Sequence, residues 1–123
     1  MTLVELLNKV LEIKGVTSAA VVSGEGLIVE SVSHDNIDIN FVSGLIASSL
    51  ASSRVLAGLM GDGELQQAMI EYENGPVLIT PLSDDSDESG YVAVVTLDSV
   101  GTLGRVRFQL RKLLPEIAGA VAV

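Results

Sequence analysis

Apolar residues recur at helical spacing at Leu3, Leu6, Leu7, Val10 and Leu11. Thr2 and Glu5 precede and overlap that run in a hydroxyl-x-x-glutamate arrangement, which satisfies the free amides at a helix start. With Gly15 as a stop, the spacing predicts a first helix over residues 3–14. The period then changes. Residues 16–23 are rich in Val and Ala and read as a strand buried on both faces, and residues 24–26 (Gly-Glu-Gly) carry hairpin-turn chemistry. Residues 27–33 alternate enough to form a second, less buried strand. A polar link over 33–40 follows, in which Asn36 or Asp38 can cap a long second helix over 39–60, ended by Gly61-Asp62-Gly63.

Residues 64–73 read as a third strand. Asn74-Gly75 is the strongest two-residue hairpin signal in the chain, because both residue types tolerate positive φ. Residues 76–82 form a fourth strand, with Pro81 marking its end or a bulge because it has no donor. Residues 91–97 are nearly continuously apolar, as expected of a central strand. A last helix is expected over 101–117, with Leu103, Val106, Leu110, Leu113, Leu114 and Ile117 as its buried stripe. Pro115 threatens its last turn and is a place for a separate short turn to begin. The tail over 118–123 is apolar and is expected to be packed or frayed.

The element order is α-β-β-α-β-β-β-α. Short connections favour antiparallel neighbours, so the expected class is α+β, a single domain over 1–123 built on one antiparallel sheet rather than a doubly wound parallel one.

The helix over 39–60 departs from the pattern of an ordinary surface helix. Gly44, Ala47, Ser48, Ala51, Val55 and Gly58 form one stripe of small side chains, while Leu45, Ile46, Leu50, Leu56, Leu59 and Met60 spread larger apolar surface around the rest. Arg54 is the one charge between Asn40 and Met60. A helix covering a sheet needs a single apolar stripe. The surplus points to a second buried side, against another chain. The plainer alternative is a stripe that sits tightly on its own sheet.

Composition narrows the function classes. Seven basic and sixteen acidic residues give a net charge of −9, the wrong sign for a phosphate-binding surface, so nucleic acid is not an expected partner. No apolar run reaches the length of a membrane span. The N-terminal stretch lacks a signal-peptide pattern, and the expected location is the cytoplasm. The chain has no cysteine, hence no disulfide, zinc–thiolate site or thiol nucleophile.

Candidate chemistry fails on spacing. From Asp85 the sequence Asp-Ser-Asp-Glu-Ser-Gly begins like a calcium loop, but the twelfth place, which needs a bidentate carboxylate, is Thr96, and strand sequence follows where a helix is required. The segment 83–90 reads instead as a solvated turn between the fourth and fifth strands, with Asp84, Asp85, Asp87 and Glu88 as a charged rim. No phosphate-cradling Gly-x-x-x-x-Gly-Lys-Ser/Thr loop is present. His34, beside Asp35, is the one histidine, and no nucleophile elbow accompanies it. Arg105, Arg107, Arg111 and Lys112 on the last helix invite an arginine-finger reading. The plainer one is a solvated face, with Arg111 and Lys112 near a C-terminal end where the dipole favours them. No catalytic residue, cofactor or metal ligand is expected.

Taken in order, the motifs have a family resemblance. Residues 15–22, Gly-Val-Thr-Ser-Ala-Ala-Val-Val, run into 26–31, Gly-Leu-Ile-Val-Glu-Ser; the small-residue helix follows; Leu103-Gly104-Arg105-Val106-Arg107 with Leu110-Arg111 opens the last helix. Over about residues 2–114 the chain resembles the roadblock/dynein light chain family, and within it the bacterial and archaeal MglB-like members. Pro115 and the long acidic loop depart from the usual pattern. The resemblance implies a five-stranded antiparallel sheet in a roadblock or profilin-like sandwich, with the second helix on one face and the first and last on the other. It further implies a homodimer with second helices packed together and third strands paired edge to edge. Its implied work is non-enzymatic regulation or scaffolding of a small Ras-like GTPase, without a donated arginine finger. The expected dimer and partner residues are Ser43, Gly44, Ala47, Ser48, Ala51, Ser52, Val55, Gly58, Leu65, Gln67 and Met69. The rival readings are a small-molecule sensor of profilin-like or PAS-like type, which needs a polar pocket on the sheet; a purely structural dimeric scaffold; and a hydrolase built on His34.

Overall fold

The computed structural model describes residues 1–23, 26–34, 56, 59–61, 66–73, 75–82 and 90–121. They form helix α1 (Leu3–Leu11), strands β1 (Val16–Val22), β2 (Ile28–Ser33), β3 (Ala68–Tyr72), β4 (Gly75–Pro81) and β5 (Val92–Leu97), a 3-10 turn (Val100–Thr102) and helix α2 (Leu103–Val121). The strands make one sheet in the order β2-β1-β5-β4-β3, with every neighbouring pair antiparallel. The second helix of the sequence reading lies outside the described residues except at Leu56, Leu59 and Met60, which are helical.

Helix α1 starts where the capping pattern places it. The Glu5 amide donates to Thr2 Oγ1 at 3.3 Å, and the Thr2 hydroxyl donates to a Glu5 carboxylate oxygen at 3.1 Å. The helix ends at Leu11 rather than Lys14. The reason is Ile13: its amide bonds back three residues to Val10, and this tighter turn drops its side chain into the core. Gly15 then turns the chain at φ +100°, and a Cβ there would lie 2.4 Å from Thr102 Oγ1. Its carbonyl accepts from the Asp98 amide, tying the start of β1 to the end of β5.

α1 and α2 cover the same face of the sheet. Leu6, Leu7 and Val10 from α1 meet Val106, Leu110 and Ile117 from α2 over Val16, Ala19, Val21, Leu78, Val95 and Leu97. The opposite face carries Ala20, Val22, Ile79, Val92 and Val94, also buried, with Ala68, Ile70 and Val77 beside them. A bulge explains how Val16 joins the first cluster. Val16 pairs with Leu97 but Ser18 pairs with Thr96, so Thr17 is an extra residue and the side-chain alternation slips by one. Thr17 and Ser18 can then both bond Thr96 Oγ1, which keeps the buried Ser18 hydroxyl partnered.

The β3–β4 hairpin forms one residue earlier than the Asn74-Gly75 signal suggests. Tyr72 pairs with Gly75, which becomes the first residue of β4 with φ +127°. A Cβ there would sit 2.1 Å from the carbonyl oxygen of Leu97, the last residue of the neighbouring strand β5, so only glycine fits. Pro81 is the last residue of β4, as expected of a residue without a donor.

Pro115 does not end α2. The helix runs through it to Val121, and the start of the apolar tail is packed: Ala120 and Val121 lie against the α1-side cluster. An interior proline costs about 3 kcal/mol. Fully burying Ile117, two residues on, contributes about 1.5–3 kcal/mol, and the packing of Ala120 and Val121 adds to it, so tertiary burial offsets the local penalty. The longer helix also leaves Arg111 and Lys112 mid-helix, beyond the reach of the C-terminal dipole.

Candidate interaction surface

Strand β3 forms one edge of the sheet. It is shorter than the reading of 64–73: Gln66 and Gln67 precede it and are not strand residues. All five of its residues pair with β4 in unbroken register, from Ala68 with Ile79 to Tyr72 with Gly75. Ala68 and Ile70 turn toward the second cluster, while Met69 and Tyr72 are 40% and 57% exposed. β3 pairs with β4 on one side only, so its outward backbone groups have no strand beside them among the described residues.

Large apolar side chains are exposed elsewhere too. Leu56 is exposed, and Leu59 and Met60 are 81% and 79% accessible just before Gly61. Apolar surface of this size on helical residues fits the surplus noted in the sequence. Ser43, Gly44, Ala47, Ser48, Ala51, Ser52, Val55, Gly58 and Leu65 lie outside the described residues. Of the expected interface residues the structure therefore places two, Gln67 just before the edge strand and Met69 within it.

Gln67 has partners within its own chain. Its Nε2 donates to Thr80 Oγ1 at 3.0 Å, and its Oε1 accepts from Arg107 Nε at 2.9 Å. This relay from β4 to α2 went unread in the sequence, since nothing local links residues forty positions apart. It also divides the basic face of α2. Arg107 is half-buried and held, whereas Lys112 lies over the Phe108 ring at 4.7 Å from its centroid.

The His34 ring faces the Leu11 carbonyl at 3.3 Å, and among the described residues no serine or threonine hydroxyl bonds to it. The acidic segment over 83–89 lies outside the described residues; in the chain it falls between β4 and β5. The Leu82 amide donates to the Tyr91 carbonyl at 2.8 Å between antiparallel β4 and β5, and a strand follows where a calcium loop would require a helix. Among the described residues no group of three or more His, Asp or Glu side chains is placed to hold a metal ion. No helix among them is long and apolar enough to cross a membrane.

The sequence pattern of the Roadblock/LC7 domain matches residues 2–87. Two uncharacterized proteins of Methanocaldococcus jannaschii are each 30% identical over 111 residues, which is 90% of this chain and 90% of each relative. Among solved structures, MglB of Myxococcus xanthus superposes with a TM-score of 0.84 at 22% identity, covering 98% of this chain and 94% of that one. A Roadblock/LC7 domain from Streptomyces avermitilis also gives 0.84, at 16% identity and over 100% of both chains. At these identities the structural likeness speaks for the fold.

Proposed function

This chain belongs to the Roadblock/LC7 family, and from that premise we propose that it is a non-enzymatic homodimeric regulator or scaffold of a small Ras-like GTPase, working in the cytoplasm as one domain over 1–123. The observation that carries the dimer is the β3 edge: regular, unbulged and bearing exposed Met69. An open edge of this kind is a template for a second strand, and a second copy offers the same strand by two-fold symmetry. The helix stripe of Ser43, Gly44, Ala47, Ser48, Ala51, Ser52, Val55 and Gly58, with Leu65, Gln67 and Met69 beside it, supplies the rest of the dimer and partner surface. Small side chains there let two helices approach closely. The exposed Leu56, Leu59 and Met60 extend the same apolar surface.

The GTPase assignment rests on the family resemblance. In this reading the dimer acts by holding the GTPase's own residues in place, with no arginine supplied to the phosphate. The experiment is GTP turnover by the small GTPases of the same organism, with and without this protein, alongside light scattering at about tens of micromolar, a range in which interfaces of micromolar affinity are populated. A dimer that alters turnover or binds a GTPase is the expected result; a monomer throughout the range contradicts the assembly.

A further inference from the structure

A cleft of about 320 Å³ opens between α2 and the start of β3, on the helix-covered face, and shares Gln67 with the residues assigned to the dimer. Gln67, Thr80, Arg107, Leu110, Arg111 and Leu114 line it. Two features set it apart from a solvated helix face. The first is the relay: Thr80 holds Gln67, and Gln67 holds Arg107 through Nε, which among the described residues leaves the outer guanidinium nitrogens of Arg107 for another acceptor. The second is charge. The chain has sixteen acidic residues and seven basic ones, yet among the described residues neither Arg107 nor Arg111 is paired with a carboxylate. The residue that orients Arg107 is a neutral glutamine, so its positive charge is aimed without being cancelled.

Arg111 follows Arg107 by one helical turn, which puts neighbours four apart at about 5–6 Å between Cβ atoms. Leu110 and Leu114 supply apolar lining. An extended peptide presents side chains two apart on one side at roughly 6.6 Å. Two carboxylates in an acidic-x-acidic segment therefore match the two guanidinium groups, each in a geometry suited to paired hydrogen bonds, with their methylene stems on the leucines. A free monocarboxylate uses only one of the two arginines. A polyphosphate or an anionic membrane meets the repulsive field of a chain with net charge −9 over a wide area, whereas a short peptide brings only the two charges that the cleft takes up.

We propose that this cleft is a docking site for an extended acidic-x-acidic peptide segment of a partner protein, centred on Arg107 and Arg111 of α2 and bordering the proposed dimer surface at Gln67. The site does not depend on the GTPase reading, and the test uses the full chain alone.

The probes are a blocked peptide, acetyl-Ala-Glu-Ala-Glu-Ala-amide, its glutamine twin, and free glutarate, titrated by calorimetry or by backbone amide shifts. At low salt the glutamate peptide binds with Kd on the order of 0.1–1 mM, and the twin binds at least about tenfold more weakly. Arg107→Gln and Arg111→Gln each raise Kd about tenfold, as loss of a charge-assisted pair should. Gln67→Glu does the same by giving Arg107 an internal carboxylate, while Arg105→Gln, off the cleft, leaves binding unchanged. Arg111 is exposed and makes no hydrogen bond among the described residues, so its variant stays informative if Arg107→Gln folds poorly. Equal binding of both peptides, or wild-type affinity in Arg111→Gln, overturns the site. Glutarate binding as tightly as the peptide overturns the peptide assignment.

Discussion

The two edges of the sheet are built differently, and the contrast shows which one is the more open to another strand. Strand β2 is kinked. Val21 pairs with Glu30 and Val22 with Ile28, so Val29 is an extra residue in the ladder and the edge bends there. Its far end is tied down, with the Ser33 hydroxyl and the His34 amide both donating to the Thr17 carbonyl and the His34 ring against the end of α1. Val32 packs against the α1-side core. Strand β3 has no such device. Its register is continuous, its outward apolar residue Met69 is exposed, and its anchorage to α2 comes before it, at Gln67. Bulged edges resist added strands and flat ones invite them. Exposure alone does not separate the two: Val29 is 44% exposed and Met69 40%. The difference is backbone regularity.

The largest effect is expected where the flat edge is anchored. Gly75→Ala puts a methyl group against the Leu97 carbonyl at a φ that L residues rarely adopt, and backbone cannot step aside. The expected loss is about 3 kcal/mol or more, or failure to fold, measured by denaturant unfolding. A smaller, more selective effect separates the edges. Met69→Lys on β3 is expected to weaken self-association by about 2 kcal/mol, while Val29→Lys on the kinked β2 leaves it unchanged. Sedimentation across a concentration series reads both, and equal behaviour of the two variants removes the distinction. The smallest effect belongs to neither edge. Neutralising Asp84, Asp85, Asp87 and Glu88 is expected to slow association with a basic partner severalfold at low salt and to leave it unchanged at high salt. A rate unaffected at low salt makes the acidic rim a solubility feature only.

Much of the fold was legible because its signals are local. The alternation and length of residues 16–23, 27–33 and 91–97 located three strands to within a residue, and the stripe from Leu103 to Ile117 named the buried face of α2. Where local rules failed, a distant contact had overruled them. Pro115 sits inside a helix because Ile117 and the residues after it pack on the core. Ile13 leaves the helical path because the core takes its side chain. The bulges at Thr17 and Val29 are invisible in the residue pattern, since they show only when two strands are laid side by side. The Thr80–Gln67–Arg107 relay was missed for the same reason. Gln67 was read from its position as an edge residue, and its in-chain partners come from two other elements. The small-residue stripe, by contrast, was read from periodicity alone.

The central claim is that a dimer built on the β3 edge is what engages a small GTPase. The most direct measurement is the binding of this protein to the small Ras-like GTPases of its organism, each loaded with GDP or with a non-hydrolysable GTP analogue, for the wild-type chain and for Met69→Lys. The account predicts binding to the GTP-loaded form of one of them, at least about tenfold tighter than to its GDP form, and loss of that binding with loss of the dimer. Equal absence of binding in both nucleotide states for every GTPase, or undiminished binding by a monomeric Met69→Lys chain, contradicts it.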